Sequence, residues 1–123
     1  MRALIIEDQF LIAAQIEDIL GEIGYSEFDF ADEEEGALNA ARANCPDLIT
    51  ADQRLIAGSG VDAVNKVCAE HGNIPTVYIT EFRNEVRKLA PTAVIVQKPF
   101  GPRLLQEGVG KAILQSRKAA TAS

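Results

Sequence analysis

Glu7, Asp8, Asp52, Thr80, Lys98 and Pro99 each fall at or just beyond the end of a short apolar run. Ala3-Leu4-Ile5-Ile6 precedes the acidic pair, Leu48-Ile49-Thr50-Ala51 precedes Asp52, Thr76-Val77-Tyr78-Ile79 precedes Thr80, and Ala93-Val94-Ile95-Val96-Gln97 precedes Lys98. If those runs are parallel strands of one sheet, their carboxyl ends share one edge, which is where open α/β sheets place ligands. Three carboxylates, a hydroxyl and an ammonium then converge. That donor set suits a divalent metal and a phosphoryl group.

Taken alone, either aspartate reads as a helix cap or a turn residue. Two of them on adjacent strand ends, with Glu7 beside one, crowd negative charge, which costs stability unless a cation sits there. Magnesium takes near-octahedral oxygen ligands, so Asp8 and Asp52 would ligate directly and Glu7 would hold a water. A lysine that ends an apolar strand is costly to half-bury without an anion. Lys98 is therefore expected to pair with a carboxylate at rest and with a phosphoryl oxygen after transfer. Thr80 would donate its hydroxyl to another phosphoryl oxygen. Asp52, at a central strand end, is the expected nucleophile, giving an aspartyl phosphate.

The elements that must position these groups alternate strand and helix without interruption. Strands are expected at 3–7, 28–31, 47–51, 75–80 and 93–97. Ile12, Ile16, Ile19, Leu20 and Ile23 form one apolar helical face, closed by Gly24. Asp32 with Glu35 three positions on makes a capping box for a second helix, in which Glu33-Glu34-Glu35 is a solvated first turn. Leu38 and Ala41 face inward there, and Cys45-Pro46 stops the helix. A third helix carries Val61, Val64, Val67 and Cys68 inward and ends at His71-Gly72. Only Phe82 to Pro91 is left for a fourth, which must be short. A fifth, from Pro102, places Leu104, Leu105, Val109, Ala112 and Ile113 on one side, with Gly108 and Gly110 weakening it. The result is a doubly wound (βα)5, flavodoxin-like, three-layer sandwich. The run 27–31 is the most polar and belongs on an edge of the parallel sheet, giving the order 2-1-3-4-5. One domain spans 1–117, residues 118–123 are expected as a short flexible tail, and no output domain is expected.

A chain of 123 residues can bury a real core, and 47% apolar residues are ordinary for a globular protein. No apolar run approaches the roughly 20 residues needed to span a bilayer, and Glu7-Asp8 interrupts the first run too early for a signal peptide. A cytoplasmic location is expected, without membrane contact. A net charge of −6, with basic residues gathered only at Lys111, Arg117 and Lys118, argues against nucleic acid as a partner. Cys45 and Cys68 lack metal-ligand spacing and are expected as buried, reduced thiols. The single histidine, His71, suits a helix C-terminus rather than catalysis.

Over residues 2–116 the sequence resembles the receiver domains of bacterial two-component response regulators. The matching motifs are Ile6-Glu7-Asp8, Leu48-Ile49-Thr50-Ala51-Asp52, Gly60 eight positions after Asp52, Ile79-Thr80 and Lys98-Pro99-Phe100. The resemblance implies that Asp52 is the phospho-acceptor, that Glu7 and Asp8 are the acidic pair, and that the backbone carbonyl of Arg54 is a third ligand for Mg2+ or Mn2+. Thr80 and Lys98 become the switch hydroxyl and the phosphate-pairing lysine, and the Lys98–Pro99 peptide is expected cis. The phosphodonor would be a histidine kinase or a histidine phosphotransfer protein. The readout would be a downstream protein target or phosphate shuttling, from a monomer or weak homodimer that is not a conventional enzyme.

Three departures modify that expectation. Ile95 stands where receivers usually carry Phe or Tyr, so no ring can flip there as a reporter. Glu81 and Phe82 replace the small residue and open space that usually follow the switch threonine. The Thr80-to-Lys98 interval is short, and Ile56 stands where a proline is frequent. These departures, with Leu4-Ile5-Ile6-Glu7-Asp8 and Gly58-Ser59-Gly60-Val61-Asp62-Ala63-Val64, resemble a subgroup in alphaproteobacterial general-stress signalling, which includes stand-alone receivers and the receiver half of an anti-anti-sigma regulator. Glu81 either overhangs the site or is simply solvent-exposed. Two other readings use the same residues. A haloacid-dehalogenase-type phosphatase would need an acid two positions after Asp52, where this chain has Arg54. An unphosphorylated pseudo-receiver binding module would be favoured by Glu81 and Ile95.

Overall fold

The computed structural model describes the backbone of residues 1–122 and the side chains of residues 1–119. Strands β1 (Arg2–Ile6), β2 (Glu27–Ala31), β3 (Leu48–Ala51), β4 (Thr76–Thr80) and β5 (Val94–Gln97) alternate with helices α1 (Phe10–Glu22), α2 (Glu34–Ala43), α3 (Gly60–His71), α4 (Arg83–Leu89) and α5 (Pro102–Ala122). All neighbouring strands pair in parallel, in the order β2-β1-β3-β4-β5. This is the expected doubly wound arrangement.

Both faces of the central strands are apolar because both are covered. In β1, Ala3 and Ile5 face the layer of α1 and α5, where they meet Ile16, Leu20, Leu105 and Val109. Leu4 and Ile6 face the layer of α2, α3 and α4, among Ala37, Ala41, Val64, Val67 and Val86. The edge strand β2 is more polar, and Arg2 of β1 holds its Glu27 and Asp29 in ion pairs. No described helix is long and apolar enough to cross a membrane.

Several local expectations are corrected. The residue that caps α2 is Glu33, and it makes no side-chain capping bond, so the Asp32–Glu35 box does not form. Asp32 and Glu34 are instead engaged by the loop after β3, a contact made across the fold. Ser59 does cap α3, its hydroxyl accepting the Asp62 N–H at 3.2 Å. Cys45 is exposed and Cys68 only half-buried, because Cys45 lies beyond the last turn of α2. Leu104 is exposed too, being one position off the α5 face that buries Leu105, Val109 and Ala112. Gly108 is a close approach: a Cβ there would lie 3.0 Å from Val96 Cγ2, so α5 sits directly on β5. Gly110 has open space around it. Helix α5 runs past residue 117 to Ala122, through most of the segment expected as a tail; Ser123 lies outside the described residues.

Candidate functional site

Backbone ladder bonds extend just past the strand ends and fix the site residues. The Glu7 N–H donates to Ala31 O at 2.8 Å, Asp52 N–H to Ile6 O at 3.0 Å, and Lys98 N–H to Thr80 O at 3.1 Å. Glu7 and Asp52 therefore leave adjacent strands side by side. Asp8 is exposed, since α1 starts at Phe10 with Gln9 as its cap and makes no use of the Asp8 carboxylate as a cap.

The side chains converge. Lys98 Nζ donates to Glu7 Oε1 at 2.7 Å and to Asp52 Oδ2 at 2.9 Å. All three groups are buried, at 8%, 7% and 6% exposure, so this cluster is shielded from water screening. One carboxylate oxygen each from Glu7, Asp8 and Asp52 lie within 4.8 Å of one another. Asp52 Oδ1 accepts the Gln53 N–H at 2.7 Å, and Glu7 Oε2 accepts the Gln9 N–H at 3.3 Å. Thr80 is fully buried, and its hydroxyl oxygen accepts the Phe82 N–H at 3.0 Å. The Lys98–Pro99 peptide is cis.

The electrostatics follow from this crowding. Burial pushes the Glu7 carboxyl up, the hydrogen bond from Lys98 opposes that, and repulsion by Asp52 adds to it, leaving the group raised to about 7. Burial pulls the Lys98 ammonium down, yet its bonds to Glu7 and Asp52 outweigh that and hold it above its ordinary value. One ammonium thus faces three carboxylates. A hard divalent cation with oxygen ligands fits this donor set and would relieve the excess charge.

The remaining candidate residues frame the site. The Arg54 guanidinium lies 3.9 Å over the Phe82 ring and its Nε is 3.4 Å from Glu85 Oε2, so the side chain spans to the start of α4. Glu81 is exposed, and its carboxylate has no hydrogen-bond or ion-pair partner among the described residues. Its backbone carbonyl accepts from Gln97 Nε2 at 3.3 Å, and it rims a cleft of about 700 Å³ with Arg54, Phe82 and Gln97. Ile95 is half-buried against the α2–α3–α4 layer and pairs in register with Tyr78. Gln53 was not legible as a site residue. It is 3% exposed, its Oε1 accepts the Val61 N–H at 3.0 Å, and it ties the acceptor loop to α3. Its place directly after Asp52 was the available signal.

A second cleft, of about 540 Å³, opens beside the acidic cluster between α1 and β2, with Phe10, Phe30, Asp8 and Asp32 in its walls. Phe10 and its neighbour Leu11 are 82% and 80% exposed.

Comparison with known proteins gives one answer. The family described as the response regulator receiver domain matches residues 3–109. The phyllosphere-induced regulator PhyR of Methylorubrum extorquens is 31% identical over 120 residues, covering 94% of this chain and 45% of that protein. The response regulator PhyR from Brucella abortus superposes with a TM-score of 0.85 at 30% identity, over 98% of this chain and 51% of that one. The PhyR receiver domain from Erythrobacter litoralis gives 0.84 at 28% identity, over 92% and 89%. An anti-anti-sigma factor PhyR from Bartonella quintana gives 0.81 at 30% identity, over 98% and 50%. The chain spans about half the length of the full-length PhyR proteins it matches. With its five-stranded sheet, its acidic cluster and its bridging lysine, the chain belongs to the response regulator receiver domain family.

Proposed function

We propose that this receiver domain accepts a phosphoryl group on Asp52 from a phosphohistidine of a histidine kinase or phosphotransfer protein. The observation that carries this is the bridging of buried Glu7 and Asp52 by Lys98 beside the exposed Asp8. An Asp52 carboxylate oxygen attacks phosphorus, the phosphorus–nitrogen bond to the donor imidazole breaks, and the imidazole leaves with its electron pair and takes up a proton. Lys98 exchanges its bond to Asp52 for one to a phosphoryl oxygen. Thr80 turns its hydroxyl from accepting the Phe82 N–H to donating to a second phosphoryl oxygen. Residues suited to hold Mg2+ or Mn2+ are Asp8 and Asp52 directly, Glu7 through a water, and the Arg54 carbonyl. The bound cation would supply neutralisation of the phosphoryl charge. Exposed Phe10, Leu11 and Phe30 beside Asp8 offer the donor an apolar seat.

Because Ile95 cannot act as a rotating ring, the readout is assigned to the Thr80-to-α4 segment, which Thr80 and Arg54 both hold. The face of α4, β4 and β5 would then meet a downstream protein. Cytoplasmic location and a monomer or weak homodimer complete the proposal. The Arg54 side chain, engaged by Phe82 and Glu85, leaves the phosphatase reading without its acid. Incubation with a small-molecule phosphodonor and magnesium, followed by intact-mass spectrometry, should add one phosphoryl group to the wild type and none to Asp52→Asn. Equal labelling of that variant would overturn the acceptor assignment. No labelling of the wild type, by this donor or by a kinase, would leave the pseudo-receiver reading in its place.

A further inference from the structure

The loop that leaves Asp52 is poorly held by packing. Arg54, Ile56, Ala57 and Gly58 are exposed, and only Leu55 leans on the core. An antiparallel bridge joins Arg54 to Ser59, closed by the Gly60 N–H donating to Gln53 O at 2.9 Å. That bond comes from the residues flanking the bridge and does not engage the Arg54 carbonyl. Gln53 ties the near end of the loop to α3 and the Arg54 side chain reaches Phe82 and Glu85, while the backbone of residues 56–59 is held by the start of α2, an element that supplies none of the candidate site residues.

Three hydrogen bonds make this connection. Ile56 N–H donates to Asp32 O at 3.0 Å, Glu34 N–H donates to Ala57 O at 3.1 Å, and Ser59 N–H donates to Glu34 Oε2 at 3.0 Å. Glu34 is itself steadied by Lys66 of α3, 2.6 Å from its Oε1. Its carboxylate lies flat against Gly58, which has a φ of +82°, and a Cβ at that position would overlap Glu34 Oε2. The glycine therefore serves two needs at once, the left-handed turn and the carboxylate's approach. The Lys66 hydrogen bond also lowers the proton affinity of Glu34, as does the Ser59 N–H, so it stays an acceptor at neutral pH.

We infer that Glu34 is a positioning residue for the divalent cation: by clamping Ser59 and Gly58 it sets the 54–59 segment and with it the Arg54 carbonyl. This rests on the reading of Glu7, Asp8, Asp52 and the Arg54 carbonyl as the cation's ligands. Outer groups that orient ligands set metal affinity without touching the metal. The acceptor at Glu34, rather than its charge, is the part that matters, because the clamp is a hydrogen bond to a backbone N–H.

Titration of the full chain with magnesium chloride, followed by amide NMR shifts around Asp8 and Gln53, tests this. Glu34→Ala is expected to weaken magnesium about tenfold, whereas Glu34→Gln, which keeps an oxygen for Ser59, stays within about twofold of wild type. Gly58→Ala, which drives the carboxylate away from the other side, should weaken binding like Glu34→Ala and carries the test if that variant fails to fold. A merely structural role would lower the melting temperature of these variants while leaving the magnesium constant unchanged, and that result overturns the inference. Equal weakening in Glu34→Gln and Glu34→Ala would show a remote charge effect and overturn it too. A wild type that binds no magnesium overturns the ligand assignment itself, and the inference with it.

Discussion

The Glu7 contribution to metal-free stability should fall as the pH rises from 4.5 to about 7. Its carboxyl is raised from 4.5 to about 7 in the folded protein, first by burial and then by Asp52. Below pH 4.5 Glu7 is neutral in both the folded and the unfolded chain, and its contribution is fully present. Between 4.5 and about 7 the unfolded chain has released this proton while the folded chain still holds it, so stability declines. Above about 7 both states are ionised and the decline stops. At about 1.4 kcal/mol per pH unit, the whole displacement corresponds to about 3 kcal/mol. Urea unfolding followed by circular dichroism in EDTA, repeated across this range, measures it. Other carboxylates titrate as well, so the quantity to compare is wild type minus Glu7→Gln. That difference should fall by about 3 kcal/mol and then level off. At about pH 8, magnesium at a hundred times its dissociation constant should restore about 2.7 kcal/mol. A difference that is flat with pH, or that rises, would refute the account of Glu7 as a carboxyl destabilised by burial and by its neighbour.

Further outcomes follow from the surroundings of Gly108, Gly110, Thr50 and Glu81. Gly110→Ala should stabilise the protein by up to about 1 kcal/mol, since helix α5 offers open space there. Gly108→Ala should fall short of that by at least about 1 kcal/mol, because its Cβ would press on Val96 Cγ2, and thermal unfolding of the pair reads the contrast. Thr50→Val should raise stability by about 1 kcal/mol in chemical denaturation, as the buried Thr50 hydroxyl has no hydrogen-bond partner among the described residues. Glu81→Ala should alter the aspartyl-phosphate lifetime less than about twofold, because this exposed carboxylate has no hydrogen-bond or ion-pair partner among the described residues; a large lengthening or shortening, measured by decay of the intact-mass adduct, would mean that it overhangs the acceptor.

The sheet and the convergence of Glu7, Asp52 and Lys98 at its edge were legible because they rest on signals with few alternatives. The apolar runs ending in Glu7, Asp52, Thr80 and Lys98 could be buried on both faces only in a doubly wound sheet. The polar Phe28-Asp29-Phe30 stretch could sit only at its margin. What escaped the sequence depends on contacts between distant segments. Asp32 and Glu35 have the spacing of a local cap, but the neighbouring Glu34 is claimed by Ser59 and Lys66, and the start of α2 shifts accordingly. Gly108 reads as a weak helix residue until Val96 is seen against it. Cys45 reads as an interior thiol until the helix is seen to end before it. In each case the local preference is about 1 kcal/mol, small enough for one tertiary contact to override.

The Lys98–Glu7 bond spans 91 positions and crosses from the edge strand β5, past β4 and β3, to β1. No contiguous stretch of half the chain contains both partners. A nascent chain, a proteolytic fragment, or a conformer with β5 undocked has carboxylates but no ammonium between them. The balanced Glu7–Lys98–Asp52 bridge is therefore a property of the finished fold alone.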